Sequence, residues 1–267
     1  MAAKAHKSAN GRMARNGHTI TAPASHTLLS KGKALSSRSH IPNSRHRWTE
    51  YLDAQKGFDL VDAAIHASRI GRPLNQFVTI HFERANLSDL WRPQDAISAW
   101  LKRAGQWLGL RAIPCTFLWV IEHAPGTGLH VHILLHCPPN HQKAFKEKGR
   151  GAWLHKAGMA PAAGDRHAIH FDRVGPRGYD PATATAIAKQ RETYHRQLKG
   201  VLRYHLEGLD PDQHISLVDG EAKPITELLG VEPSRSIAIY GRRASRSQNI
   251  GKTARDRFHA QLERPPT

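Results

Sequence analysis

Glu122, His130 and His132 are the residues whose types and spacing could do chemistry. They belong to the stretch 113–137, IPCTFLWVIEHAPGTGLHVHILLHC. Two apolar runs, 113–123 and 129–137, flank an Ala-Pro-Gly-Thr-Gly connection, which predicts a β-hairpin turning about Gly126. In that register Glu122 faces His130, and His132 is its diagonal neighbour. Side chains alternate across a strand, so all three leave the sheet on one side. The other side pairs Ile121 with Val131, Trp119 with Ile133, Phe117 with Leu135 and Cys115 with Cys137, and so must be core. Two imidazole nitrogens and a carboxylate are a mixed donor set that suits Mn, Fe, Co or Zn, and Mg less well. Three protein ligands leave coordination positions open for a substrate, the arrangement of a catalytic rather than a closed structural site. A zinc site using Cys137 is disfavoured, because the register turns that thiol into the core. The plain alternative is a polar sheet face whose histidines and glutamate are satisfied by water.

The surrounding pattern supplies elements to hold these residues. Trp48–Ile70 reads as a helical lead-in ended by Gly71-Arg72-Pro73. Phe77–Glu83 alternates, with Val78, Ile80 and Phe82 on one side and Thr79, His81 and Glu83 on the other, which predicts a strand. A helix over 93–109 carries Pro93 where a missing N–H costs nothing, and Ile97, Trp100, Leu101 and Leu108 give it an apolar stripe. After the hairpin come a helix of about 139–156, a strand within 166–174, and a long helix from Ala182 to Leu206 stopped at Gly208. The order βαββαβα, with room for one more strand, predicts an α+β fold: a small antiparallel sheet with helices on one face.

Strand Phe77–Glu83, then Glu122 ahead of the His-Val-His of 130–132, then a tyrosine-bearing helix resemble the HUH endonucleases. Within that superfamily the arrangement is most similar to rolling-circle replication initiators, the Rep proteins. The resemblance spans about 74–208, half the chain, and implies a ferredoxin- or RRM-like core and a divalent metal, with Mn or Mg the expected ions. It further implies nicking of single-stranded DNA through a covalent 5′-phosphotyrosine, with host replication proteins as possible partners. The long helix carries two tyrosines, Tyr194 and Tyr204. At 100° per residue Tyr194 falls in the stripe of Leu198, Val201, Leu202 and Leu206, so it reads as core. Tyr204 lies off that stripe and is the candidate nucleophile, with Gly200 one turn earlier expected to serve close packing or access. The family pattern has a lysine three residues beyond the tyrosine. Here that position is Glu207, which leaves Lys199 or Arg203 as candidates to replace it. His81 and Glu83 are candidates to steady the ligands from the neighbouring strand.

Composition points to a polyanionic partner: Lys and Arg exceed Asp and Glu by 17 over 267 residues. Nine of those cations lie in residues 1–49, which hold no Asp or Glu, so 1–47 is expected to be a disordered basic arm, ahead of a transit-peptide reading. Seven more lie in 235–257, within a basic C-terminal extension of 209–267 whose first part, 209–230, is uninformative. Arg235, Arg242, Arg243, Arg246, Lys252 and Arg255 of that segment are the expected phosphate contacts, and Trp153 or Tyr179 could stack bases. Gly251-Lys252-Thr253 echoes the end of a phosphate-binding loop, but Arg246 stands where its first glycine belongs, which excludes a P-loop. No apolar run is long enough for a membrane span, and two cysteines read as a reduced cytosolic pair. Two other functions share these features: a transposase or relaxase with the same chemistry, and an RRM-like sheet that binds nucleic acid without cutting it.

Overall fold

The computed structural model describes residues 34–35, 48–87, 89, 91–179, 188–216, 221–234 and 236–263. The expected basic arm lies outside the described residues, apart from the backbone of β1 (Ala34–Leu35). The other strands are β2 (Trp48–Thr49), β3 (Gln76–His81), β4 (Phe117–Ala124), β5 (Gly128–Leu135), β6 (Ile169–Arg173), β7 (His214–Ser216), β8 (Ala222–Pro224), β9 (Ile239–Tyr240) and β10 (Ala244–Arg246). The helices are α1 (Ala54–Arg69), α2 (Pro93–Gly109), α3 (Gln142–Lys148), α4 (Leu154–Lys156), α5 (Ala188–His205), α6 (Ile225–Leu229) and α7 (Lys252–Leu262).

The central sheet has five antiparallel strands in the order β10-β4-β5-β3-β6. The hairpin pairs Phe117 with Leu135, Trp119 with Ile133, Ile121 with Val131 and Glu122 with His130, the register its apolar alternation requires. Pro125, Gly126 and Thr127 make the turn between Ala124 and Gly128, with Gly126 at φ 83° and Gly128 at φ 71°, backbone that glycine adopts readily. Gly128 is needed twice over, because a Cβ there would run into the Glu83 carboxylate, which accepts the Leu129 N–H at 3.0 Å.

One sheet face packs Val78, Ile80, Trp119, Ile121, Val131, Ile133, Ile169 and Phe171 against α2, α3 and α4 through Ile97, Trp100, Phe145 and Leu154. Helix α2 spans the range its stripe predicts, with Pro93 in its first turn. The segment expected as one helix over 139–156 is broken instead: α3 passes into a wider π turn at Gly149–Trp153 before α4. Trp100 causes the close approach there, donating its indole N–H to the Gly149 carbonyl at 3.1 Å, and a Cβ on Gly149 would sit 2.6 Å from Phe171 Cζ.

Helices cover the other face as well, which corrects the expectation of helices on one face only. Leu118, Val120 and Leu134 share the side of the sheet that carries Glu122, and they form a second core with Leu60, Ala63 and Ala64 of α1 and Tyr194, Leu198 and Leu202 of α5. That face is apolar at one end of the hairpin and polar at the other. The C-terminal residues complete the same unit: β10 extends the sheet beside β4, and β9 pairs with β2. Ile215, Ile225 and Val231, from the stretch the sequence left unread and just beyond it, lie in the second core. Among the described residues no helix is long and apolar enough to cross a membrane. Both cysteines are free, and burial pushes their thiols up to about 11 for Cys115 and about 12 for Cys137.

Candidate metal centre

Where the apolar half of the second face ends, Glu122, His130 and His132 converge. One ligand atom from each lies within 4.8 Å of the others, and all three side chains are buried. Both histidine Nε2 atoms stand 3.5 Å from Glu122 Oε2, too far for strong hydrogen bonds. Each imidazole is oriented from behind. His130 Nδ1 donates to the Gly128 carbonyl at 3.0 Å, and His132 Nδ1 lies 3.0 Å from the Thr79 hydroxyl of β3. With its Nδ1–H turned to that carbonyl, His130 keeps its Nε2 lone pair free for a metal, and the Thr79 hydroxyl holds the orientation of the His132 ring. Glu122 Oε1 and His132 Nε2 are buried without a hydrogen-bond partner, which is costly for polar atoms unless something else satisfies them. The donor set and these orphaned atoms fit a divalent cation.

Burial acts to raise the Glu122 pKa, but the two imidazoles outweigh it and hold the carboxyl down at about 2. Burial also lowers the His132 pKa, against the pull of Glu122, so at neutral pH a carboxylate faces a neutral imidazole.

Helix α5 brings the tyrosines to opposite fates. Tyr194 is fully buried, stacked on Tyr179 with centroids 5.0 Å apart, and its hydroxyl meets Ser68 at 3.3 Å. Tyr204 is 40% exposed, and its ring lies 4.8 Å from the His132 ring. Burial, then Glu122 and Glu207, raise its phenol pKa. Glu207 stands three residues beyond Tyr204, where the resemblance noted in the sequence leads to an expected lysine. Burial, Glu122 and Glu232 raise its own pKa, so an acid stands near the site in place of a cation. Lys199 is exposed, and Arg203 lies over Gly230, where a Cβ would come 2.9 Å from its guanidinium. Gly200 meets nothing that an added Cβ would touch, so close packing does not explain it.

On β3, His81 pairs with His130 and its ring lies 5.2 Å away, while burial, then His130 and His170, push its pKa down to about 4. Glu83 is turned to the Leu129 N–H and holds the start of the ligand strand. Sequence reading missed His205. It is fully buried, its Nδ1 donates to the Val201 carbonyl at 2.9 Å, and its ring packs 5.3 Å from Phe77 and 5.7 Å from His132. At 100° per residue His205 falls between Tyr194 and Leu198 on the apolar stripe, which was the available signal, but a titratable side chain there was not read as core.

The structure redistributes the expected phosphate contacts. Arg243 is 1% exposed and donates to the carbonyls of Ile121, Thr49 and Ile237, so it is an interior residue. Arg246 and Arg255 both hold Asp59 of α1, and exposed Lys252 pairs with Asp256. Joining the sheet places these cations against its acceptors, which corrects the reading of 235–257 as a free phosphate-binding segment. Arg242 stays half-buried, and Arg235 lies outside the described residues. Trp153 packs among Trp100 and Phe145, and Tyr179 on Tyr194, so neither offers a face for stacking. Trp48 and Trp91 are the exposed tryptophans among the described residues, 53% and 64% accessible and 5.5 Å apart edge to face.

No protein-family model, curated protein or solved structure matches the chain.

Proposed function

We propose that the protein nicks and rejoins single-stranded DNA through a covalent phosphotyrosine on Tyr204, as a metal-dependent initiator of rolling-circle replication in a plasmid or phage. The observation that carries this reading is the packing of exposed Tyr204 against His132, a member of the only cluster of potential metal ligands among the described residues. Glu122, His130 and His132 would hold the divalent ion, Mn or Mg. When bound, that ion would supply Lewis acidity to a non-bridging oxygen of the scissile phosphate. The Tyr204 hydroxyl attacks the phosphorus, forming an O–P bond as the bond to the 3′ oxygen breaks. The phenolic proton passes to solvent and the departing oxygen takes one up. The products are a 5′-phosphotyrosine and a free 3′-OH, with the phosphodiester energy kept for rejoining. His132 and Phe77 hold the tyrosine ring, 4.8 and 6.3 Å away by centroid, and buried His205 anchors the end of α5 beneath it. Transposase or relaxase use would rest on the same chemistry.

The test works without a known target sequence. A random-core single-stranded library is incubated with protein and Mn²⁺, and strands that remain attached after denaturation are captured and sequenced. The reading expects metal-dependent adducts enriched in one sequence and absent with EDTA. Metal-bound protein that yields no adduct from such a library contradicts it.

A further inference from the structure

With three of the expected phosphate contacts held by carbonyls or Asp59, the free cationic density lies elsewhere. Lys143 and Lys146 of α3, Arg173 at the end of β6 and Arg177 just beyond it converge on an open cleft of about 420 Å³, with Pro139, Gln142 and Gly178 completing its wall. No carboxylate lines the cleft among the described residues. Lys143 and Arg173 are exposed, and Lys146 and Arg177 line the cleft beside them. We infer that this cleft is a binding site for the phosphodiester backbone of a nucleic-acid strand, separate from the metal centre.

Four cations gathered around one concavity repel each other, and an anion placed among them removes that cost. The environment of Lys146 shows the crowding: burial, then Arg150 and Arg173, make its ammonium easier to deprotonate, against the pull of Asp172 and Cys137. The two guanidiniums offer forked donors and the lysines compact charges, the pairing that suits phosphate oxygens. An open shape fits a strand that passes through better than a small ligand that is enclosed. Placement also favours a strand. Ile169 and Phe171 put the odd-numbered face of β6, and so Arg173, on the side of α3. His170 points to the opposite face and pairs with Thr79, whose hydroxyl meets His132. Arg173 follows His170 by three residues, roughly 10 Å along the strand. A nucleic-acid strand rounding the β6 edge could therefore touch both cleft and centre. The inference rests on the nucleic-acid part of the function proposed above, not on its covalent chemistry.

The test compares the full-length protein with Lys143→Gln/Arg177→Gln, two positions on the cleft wall, and with Lys156→Gln/Arg257→Gln, an equal charge change at exposed positions outside the cleft. Affinity for a fluorescein-labelled single-stranded 25-mer is measured by anisotropy in EDTA across a KCl series. A strand loses roughly 0.7 in the slope of log affinity against log salt for each phosphate contact removed. The cleft pair should therefore flatten the slope by about 1.4, with affinity near 100 mM salt down on the order of tenfold, while the control pair leaves the slope near wild type. Equal slopes for the cleft pair and wild type overturn the inference, as does a wild type that does not bind the strand. Competition with tripolyphosphate separates the sources. Loss of tripolyphosphate binding in the cleft pair, with the strand slope unchanged, would assign the site to a small polyphosphate and overturn the strand reading. A flattened slope together with an absence of metal-dependent adducts would retain the cleft and remove only the covalent chemistry.

Discussion

The site depends on side chains that touch no substrate as much as on those that would. Thr79 supports His132 from the neighbouring strand, and its hydroxyl holds the orientation of the imidazole ring. Thr79→Val keeps the shape and removes the hydrogen bond. It should weaken Mn²⁺ binding by roughly tenfold, measured by calorimetry, with little change in secondary structure. His205 gives a pH test. Burial, then His132, hold its folded pKa at about 3, whereas an unfolded histidine titrates near 6.5. Between those values the unfolded chain binds the extra proton, so stability falls as pH drops from about 6.5 toward 3. The urea midpoint of the metal-free protein should fall more steeply over that range in wild type than in His205→Leu. Parallel pH profiles would show that His205 carries no such penalty.

At the scale of elements, alternation in the hairpin and the α2 stripe were both legible in the sequence, because each buries one continuous apolar side. The same reasoning separated Tyr194 from Tyr204: a 3.6-residue period distinguishes the side of α5 that packs into the core with Leu74 and Leu118 from the side that does not. Helices on the second face were missed because Glu122, His130 and His132 drew attention to its polar end, while Leu118, Val120 and Leu134 supply the apolar end. The break between α3 and α4 was also hidden, since its cause is Trp100 reaching Gly149 from another element. Gly149→Ala would push a methyl toward Phe171 and Trp100. It should cost about 1–3 kcal/mol in chemical denaturation, the range for overpacking a filled core. A variant as stable as wild type would mean that the π turn yields freely.

For the whole molecule, net charge correctly signalled an abundance of cations but not their employment. Arg243 caps carbonyls inside the sheet, and Arg246 and Arg255 fasten the C-terminal strand and helix to Asp59 of α1, uses that composition cannot reveal. A metal that binds only the folded chain should stabilise all of it. Mn²⁺ at a hundred times its dissociation constant should add about 2.7 kcal/mol to unfolding, an increment that Glu122→Gln should largely remove. The central claim is that Tyr204, and not Tyr194, is the nucleophile. Its most direct test is the denaturation-resistant protein–DNA adduct formed with Mn²⁺ by wild type, Tyr204→Phe and Tyr194→Phe on a strand selected from the library. Each change removes one hydroxyl and leaves the ring, so both variants should fold. The account predicts an adduct in wild type and Tyr194→Phe and none in Tyr204→Phe; an adduct that survives Tyr204→Phe and disappears in Tyr194→Phe would contradict it.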